Sequence, residues 1–331
     1  MKLGIIGSGI IVQEFLPRLV KMDGLKVQAV QGTPDTLEQV KALCAENDVP
    51  GAFGTFEELY TADIDTVYIA VPNFLHFMYC KQALEHGYNV IVEKPMTSNL
   101  KEAEYLSALA KEKGVFLFEA VTTPYLENFH KIKEWLPQIG TVKVVQSQYS
   151  QYSRRYDAFR TGQVLPVFDP RKAGGAMMDL NLYNLHLVMG LFGEPEDVRY
   201  YANIERDIDT SGILMMQYPN FQALCLAAKD CRGSVGAVIQ GTDGCIRTAG
   251  TPNFIGRVTL ERNDGTREEF EGGSIHDRLI PEFEAFIRAI NAHDTAFCET
   301  MLAESLAVNR VQTKARLDAG IRFPADDEVL A

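Results

Sequence analysis

The chain has 331 residues, 46% of them hydrophobic and 23% charged, with a formal net charge of -12. That length exceeds what one hydrophobic core usually serves, so two domains of ordinary globular composition are expected. The acidic balance argues against a nucleic-acid partner, and no apolar run reaches membrane-spanning length, so neither nucleic acid nor membrane is expected as a partner.

The opening Lys2-Leu3-Gly4-Ile5-Ile6 reads as an apolar strand entering the turn Gly7-Ser8-Gly9, followed by the amphipathic run Gln13-Glu14-Phe15-Leu16. Strand, glycine turn and helix in that order can cradle a pyrophosphate. Gly7 permits the tight turn and Gly9 the close approach of backbone. Ser8, Ile10 and Ile11 complete the candidate loop, where a helix N-terminus supplies N–H groups and a positive dipole end. The third small residue of that fingerprint is missing: Val12 stands there, and helix and strand are expected to pack slightly further apart. A purely structural glycine turn is the competing reading of this segment alone.

Strands and helices then alternate: a strand from Leu25 to Val30, a helix from Leu37 to Glu46, a strand from Thr66 to Val71, a helix from Phe77 to Glu85, and a strand from Tyr88 to Val92. A helix from Lys101 to Lys113 and a strand from Val115 to Phe118 continue the series. Such alternation implies a doubly wound parallel sheet. The most informative stretch is Val90-Ile91-Val92-Glu93-Lys94-Pro95. It sets a lysine at the C-terminal end of an apolar strand about three βα units after the glycine turn, where a dinucleotide's reactive ring sits. Glu119-Ala120 marks the expected boundary between a dinucleotide-binding domain, residues 1–120, and a second domain, residues 121–331.

Beyond that boundary the texture changes. Helical text from Asn128 to Leu136 gives way to strand-like segments at Val142 to Ser150, Ile213 to Tyr218, Gln222 to Ala228, Ser234 to Gln240, Cys245 to Thr248 and Arg257 to Arg262. The turn Asn263-Asp264-Gly265 joins the last of these to Arg267 to Phe270, a hairpin signal. Consecutive strands without intervening helices imply an antiparallel sheet. In Ala223-Leu224-Cys225-Leu226-Ala227-Ala228 both alternating sets are apolar, so both faces should be covered, one by helices and the other by a second subunit. A homodimer or higher homo-oligomer through this sheet is therefore expected.

A second site-like constellation lies in Gly174-Gly175-Ala176-Met177-Met178-Asp179-Leu180-Asn181-Leu182-Tyr183-Asn184-Leu185-His186. Asp179, Tyr183 and His186 are spaced i, i+4, i+7 and share one face of a regular helix beside an apolar stripe. Titratable groups in a row on a largely buried helix are tolerated when they satisfy one another or line a cleft. The bland alternative makes Asp179 a cap and His186 a hydrogen-bonded core histidine.

Gly7-Ser8-Gly9, Val71-Pro72-Asn73-Phe74-Leu75-His76, Glu93-Lys94-Pro95, Glu119-Ala120 and the Gly174 to His186 segment together resemble the glucose-fructose oxidoreductase, inositol dehydrogenase and rhizopine-catabolism (Gfo/Idh/MocA) family over almost the whole chain. The resemblance implies an NAD(P)-binding Rossmann domain followed by an α/β domain with an open, mostly antiparallel sheet. That second domain would carry the substrate and often the dimer contact. It also implies roles: Lys94 as catalytic lysine, Asp179 as the aspartate of the helix motif, and Tyr183 at a position that is histidine in inositol dehydrogenases. In the dihydrodiol dehydrogenase and glucose-fructose branches that position is tyrosine, as here. Val71, Pro72, Asn73, His76 and Glu93 match cofactor-side positions, with Asn73 and His76 near the nicotinamide ribose; the alternative for His76 is an N-terminal helix residue with a satisfied ring. Chemically, hydride transfer at a carbinol carbon requires a proton to leave or reach its oxygen. Tyr183 is assigned that proton, with the Lys94 ammonium bringing the phenol pKa down towards neutrality and polarising a substrate carbonyl. His186 is the rival proton carrier, and Asp179 is assigned to hold Lys94 or a substrate hydroxyl.

Cofactor choice stays open between NAD and NADP. The end of the second strand, Val30-Gln31-Gly32-Thr33-Pro34, has neither the acid that suits NAD nor the arginine that suits the NADP phosphate. Gln31 and Thr33 are the candidate ribose or phosphate ligands. Two departures from the family pattern bear on the substrate. Val121-Thr122-Thr123-Pro124-Tyr125 stands where many relatives carry a tryptophan and an arginine, and Asn181 stands where relatives often carry glycine. Arg154, Arg155 and Tyr156 are either a solvated loop end or ligands for a hydroxylated or anionic substrate. The six cysteines lack any C-x-x-C pair, which fits reduced thiols rather than disulfides or a zinc site, and no metal is expected. With no basic n-region or cleavable h-region at the start of the chain, a cytoplasmic location is expected. The reading is an NAD(P)-dependent oxidoreductase of a sugar, polyol or related carbonyl compound. The rivals are an NAD-dependent glycoside hydrolase using transient oxidation and a non-catalytic dinucleotide sensor.

Overall fold

The computed structural model describes residues 1–330 and divides them into two compact units. The first comprises Met1–Ala120 with Phe283–Ala303, and the second Val121–Glu282 with Glu304–Val329. Each has its own sheet.

The first unit alternates β1 (Lys2–Ile6), α1 (Ile10–Leu19), β2 (Lys26–Gln31), α2 (Leu37–Glu46), β3 (Gly51–Phe53), α3 (Phe56–Leu59), β4 (Thr66–Ile69), α4 (His76–Glu85), β5 (Asn89–Glu93), α5 (Leu100–Lys113) and β6 (Leu117–Ala120). Its six strands are all parallel, in the order β3-β2-β1-β4-β5-β6. Helices on both faces leave the central strands no solvent side, which is why Leu3, Ile5, Ile6, Val67, Ile69 and Val90 to Val92 are almost all aliphatic and buried. Local chemistry punctuates the elements. Thr55 and Glu58 form a reciprocal cap on α3, the Asn99 side chain accepts from Glu102 N–H at 3.0 Å, and Gly114 ends α5 in the left-handed region. The strand order reverses direction between β1 and β4, so the crevice outside the carboxyl ends of those strands is the binding position of such a sheet.

The second unit contains α6 (Glu127–Trp135), β7 (Val142–Ser150), α7 (Arg154–Arg160), α8 (Leu182–Phe192) and seven further strands: β8 (Asp197–Glu205), β9 (Ile208–Gln217), β10 (Gln222–Ala228), β11 (Val235–Gly241), β12 (Gly244–Ala249), β13 (Arg257–Arg262) and β14 (Arg267–Phe270). The order is β14-β13-β12-β11-β7-β10-β9-β8, antiparallel except for the β7–β10 pair. One face packs on α6 and α8 around Phe129, Ile132, Leu185, Val188, Leu214 and Cys225. The other carries Tyr201, Ile213, Met215, Leu224 and Leu226, aligned across β8, β9 and β10 by the strand register. Tyr201 on that face is 67% exposed. Strand β8 is an element that the sequence pattern did not mark; its outward residues are polar or exposed at both ends.

Three helices close the chain: α9 (Ile280–Ala292), α10 (Thr295–Asp318) and α11 (Pro324–Asp327). Residues 283–303, which the sequence reading grouped with the second domain, pack with the first unit. Phe283 meets Phe15 and Tyr68 edge-on at 5.0 and 5.1 Å between ring centroids, and Phe286 stacks on Phe118 at 4.8 Å. Near the end of α10, Arg316 is fully buried, its guanidinium paired with Asp326 at 2.7 Å and lying over the Phe323 ring. None of the helices in the described residues is long and apolar enough to cross a membrane.

Candidate functional site

At the carboxyl end of β1, Gly7 has φ of +112°, and a Cβ there would stand 2.2 Å from the Ala70 carbonyl oxygen. Only glycine fits that turn. Gly9 differs in kind: its backbone is extended, it caps α1 without a side-chain bond, and a Cβ there would meet nothing within 4 Å. Protein packing therefore does not require glycine at this position, whereas close approach of a ligand to the backbone does. The first turn of α1 carries no acidic side chain to take its free N–H groups, and Gly9 and Ile10 are exposed. The segment fits a dinucleotide pyrophosphate. Val12 is fully buried at the third position of the fingerprint.

The end of β2 places the other cofactor-side candidates unequally. Gln31 is buried, its amide nitrogen bonded to the Gly32 carbonyl and its Oε1 without a protein partner. Thr33 is exposed and shares a cap with Thr36 at 3.1 Å between hydroxyls. From the end of β2 at Gln31, no carboxylate occurs until Asp35.

Lys94 leaves β5 in a setting that holds its backbone from three sides. The Tyr68 hydroxyl donates to the Glu93 carboxylate, the Met96 N–H donates to Glu119 Oε1 at 2.8 Å, and the Pro95 carbonyl lies 2.8 Å from His76 Nδ1. His76 Nε2 lies 2.9 Å from the Val71 carbonyl, and the ring is fully buried. Both ring nitrogens thus face backbone carbonyls at hydrogen-bond distance, and the single N–H of a neutral ring donates to one of them. Burial holds the imidazole below its ordinary range. His76 therefore braces the Val71 and Pro95 loops at the start of α4, the satisfied-ring arrangement that the sequence left open beside a cofactor contact. Glu93 likewise serves as an acceptor for Tyr68, while Asn73 and Pro72 open the turn before α4 with Asn73 partly accessible. Glu119, read in sequence only as a motif marker, is a buried anchor of the lysine loop.

In the second unit, the regular helix expected over the Asp179 motif begins with a π-helical turn, Met177–Asn181, before α8. The wider turn alters the i, i+4 spacing: Asp179 and Tyr183 are partly accessible, whereas His186 is buried. Tyr183 packs on Tyr149, Ala176, Leu180 and Ala227, with its ring 6.1 Å from that of Tyr149. Asn181 is fully buried and does not add an amide to an open site. It accepts from Asn184 Nδ2 at 2.8 Å, and Asn184 in turn accepts from Ser147 Oγ at 2.7 Å and donates to the Leu226 carbonyl. This network ties the motif to β7 and β10, and an unpaired amide there would be costly.

The sequence reading missed Lys229. Its ammonium, with 4% side-chain exposure, is ion-paired with the Asp179 carboxylate and lies 5.7 Å from the Phe168 ring centroid. One signal was available: like Lys94, it directly follows a strand whose alternating sets are both apolar. A cavity of about 500 Å³ opens beside the pair, lined by Gln151, Tyr152, Arg154, Arg155, Asp179 and Lys229 among others. Below the motif, Asp209 accepts from Met177 N–H at 2.6 Å and from the Tyr200 hydroxyl at 2.7 Å, and burial pushes its carboxyl up to about 6. In the Val121 to Tyr125 segment, the Thr122 and Thr123 hydroxyls donate to the Asn253 and Pro252 carbonyls at 2.7 and 3.0 Å.

Comparison with known proteins gives this geometry its context. Residues 1–121 match the oxidoreductase family with NAD-binding Rossmann fold, and residues 129–247 match the GFO/IDH/MocA C-terminal domain. The chain is 34% identical to scyllo-inositol 2-dehydrogenase (NADP(+)) of Bacillus subtilis (strain 168), over 98% of this chain and 99% of that protein. It is 27% identical to mouse trans-1,2-dihydrobenzene-1,2-diol dehydrogenase over 66% of this chain and 65% of that one. Among solved structures, the 3-ketoreductase KijD10 of Actinomadura kijaniata with NADP and TDP-benzene superposes with a TM-score of 0.81 at 21% identity, covering 98% of both chains, which speaks to the fold. These relatives favour the oxidoreductase reading over the hydrolase and sensor alternatives. The chain belongs to the GFO/IDH/MocA family and is an NAD(P)-dependent oxidoreductase.

Proposed function

We propose that the protein transfers hydride between NADP(H) and a hydroxyl-bearing or carbonyl carbon of a sugar, polyol or related compound. The observation that carries this reading is Lys94, held at the carboxyl end of β5 by Glu93, His76 and Glu119 on the sheet that bears the glycine turn. Backbone N–H groups from Gly9 to Ile11 would hold the pyrophosphate. Thr33 and Gln31 would face the adenosine ribose, and Asn73 the nicotinamide side. The cofactor, when bound, supplies the hydride acceptor or donor. In our assignment Lys94 polarises the substrate oxygen, Tyr183 gives or takes its proton, and Asp179, its charge matched by Lys229, holds a substrate hydroxyl. The buried His186 is the weaker proton carrier. NADP is preferred over NAD because no carboxylate stands at the end of β2 to take two ribose hydroxyls, and the Bacillus relative is named for NADP(+).

The test is nicotinamide absorbance with NAD(H) and NADP(H) in parallel against sugars, polyols, aldehydes and dicarbonyls. Substrate-dependent turnover should be lost in Lys94→Ala and cut at least about a hundredfold in Tyr183→Phe, with dinucleotide binding retained. Wild-type turnover in both variants would remove these assignments. We further infer a homodimer through the outer sheet face bearing Ile213 and Met215. Light scattering showing a monomer at micromolar concentration would refute it, and Ile213→Asp should separate the subunits. A cytoplasmic setting suits six free cysteines, and cell fractionation tests it.

A further inference from the structure

The cavity of the second unit carries a charge pattern that hydride chemistry on a neutral polyol does not need. Three cationic side chains, Arg154, Arg155 and Lys229, line it against one carboxylate, Asp179. Lys229 is already neutralised by Asp179. Among the described residues neither Arg154 nor Arg155 has a carboxylate partner. The carboxylates that flank Tyr152 and Tyr156 take hydroxyl donors instead: Asp157 accepts from the Tyr152 hydroxyl at 2.6 Å, and Glu205 from that of Tyr156 at 2.6 Å. In a chain of net charge -12, two adjacent arginines without acidic partners at one cavity stand out from the surrounding field.

Their position is built by the sheet. Beyond β7 and β10, the Gln151 N–H donates to the Ala228 carbonyl at 2.9 Å and the Ser153 N–H to the Lys229 carbonyl at 2.8 Å. These bonds extend the parallel pairing and carry Arg154 and Arg155 to the cavity wall that also holds Asp179 and Lys229.

We propose that this cavity takes an anionic group of the substrate, a carboxylate or phosphate on a hydroxylated carbon skeleton, through Arg154 and Arg155. Guanidinium forks match either oxyanion with paired hydrogen bonds, whereas a neutral polyol offers them no charge. The inference rests on the reading of the Asp179–Tyr183 segment as the substrate side of the enzyme.

The probes are D-glucose, D-glucuronate and D-glucose 6-phosphate, titrated calorimetrically at constant ionic strength into the full chain with NADP present. At least one anionic probe should bind about tenfold or more tighter than glucose, the contribution of one charge-assisted hydrogen bond. Which of the two does so distinguishes carboxylate from phosphate. The preference should collapse in the double variant Arg154→Gln/Arg155→Gln, whose exposed positions spare the fold. Equal binding of glucose, no measurable binding of either anion, or a preference that survives the double variant overturns the proposal. Nicotinamide absorbance in the same samples, extended to the wider substrate panel, separates the two readings. Turnover of neutral compounds without anion preference keeps the dehydrogenase and removes the anion site. Arginine-dependent anion preference without any turnover keeps the site and removes the assigned chemistry.

Discussion

Gly7 and Gly9 stand two residues apart in one turn, and the structure requires glycine only at Gly7, whereas at Gly9 a bound ligand would, so alanine should separate stability from cofactor binding. At Gly7 the methyl carbon would lie 2.2 Å from the Ala70 carbonyl oxygen, inside the 3.0 Å that real Cβ contacts respect, with φ of +112°. The backbone conformation alone costs about 1–2 kcal/mol for a residue with a side chain, and moving the end of β4 adds strain of about 1–3 kcal/mol. Gly7→Ala should therefore lose about 2–5 kcal/mol of stability. At Gly9 the methyl group meets nothing and φ is -71°, so Gly9→Ala should be neutral or gain about 0.4–1 kcal/mol through the unfolded chain. The same methyl group fills the space a pyrophosphate would use. Losing one or two charge-assisted hydrogen bonds there weakens dinucleotide binding by about ten- to a hundredfold. Urea unfolding of the cofactor-free protein and fluorescence titration with NADPH measure the two effects. Wild-type NADPH affinity in Gly9→Ala would refute the assignment of this turn to the phosphate, and an unimpaired Gly7→Ala would refute the steric argument.

Three further outcomes are expected. Lys229→Met removes the cation paired with Asp179; turnover should fall at least about tenfold with NADPH affinity unchanged. Unchanged turnover would separate the Asp179–Lys229 pair from catalysis. Asp209 binds its proton more tightly folded, at about 6, than unfolded, near 4. The folded state thus holds the extra proton between those values, and stability should fall by about 2 kcal/mol as pH rises from 4 to 6. Asp209→Asn should lack that portion of the slope in unfolding measured across the interval. Asp326→Asn strips the fully buried Arg316 of its counter-charge and should cost about 3–5 kcal/mol in urea unfolding, with NADPH affinity in the folded protein intact.

The parallel sheet was legible in sequence because buried strands and amphipathic helices impose local periods, and those periods alternate cleanly from Lys2 to Ala120. Gly7 and Lys94 were legible for the same local reason: a turn needing positive φ and a lysine ending a strand of Val90, Ile91 and Val92. The hairpin at Asn263-Asp264-Gly265 and the antiparallel character of the second sheet also follow from adjacent residues. What the sequence did not carry depends on partners far along the chain. Lys229 meets Asp179 across 50 positions. Asn181 turns inward because Asn184 and the β10 carbonyls are there to receive it. His76 becomes a brace only when Val71 and Pro95 stand on either side of its ring. Phe283 returns to the first unit because Phe15, Tyr68 and Phe286 offer it an aromatic seat that no local pattern announces. Composition, periodicity and motif spacing thus determined the class of protein and the order of its strands and helices in the first unit. Only tertiary packing decided which charge neutralises which, because an ion pair or a buried amide network depends on strand register and burial, and neither can be read from a window of neighbouring residues.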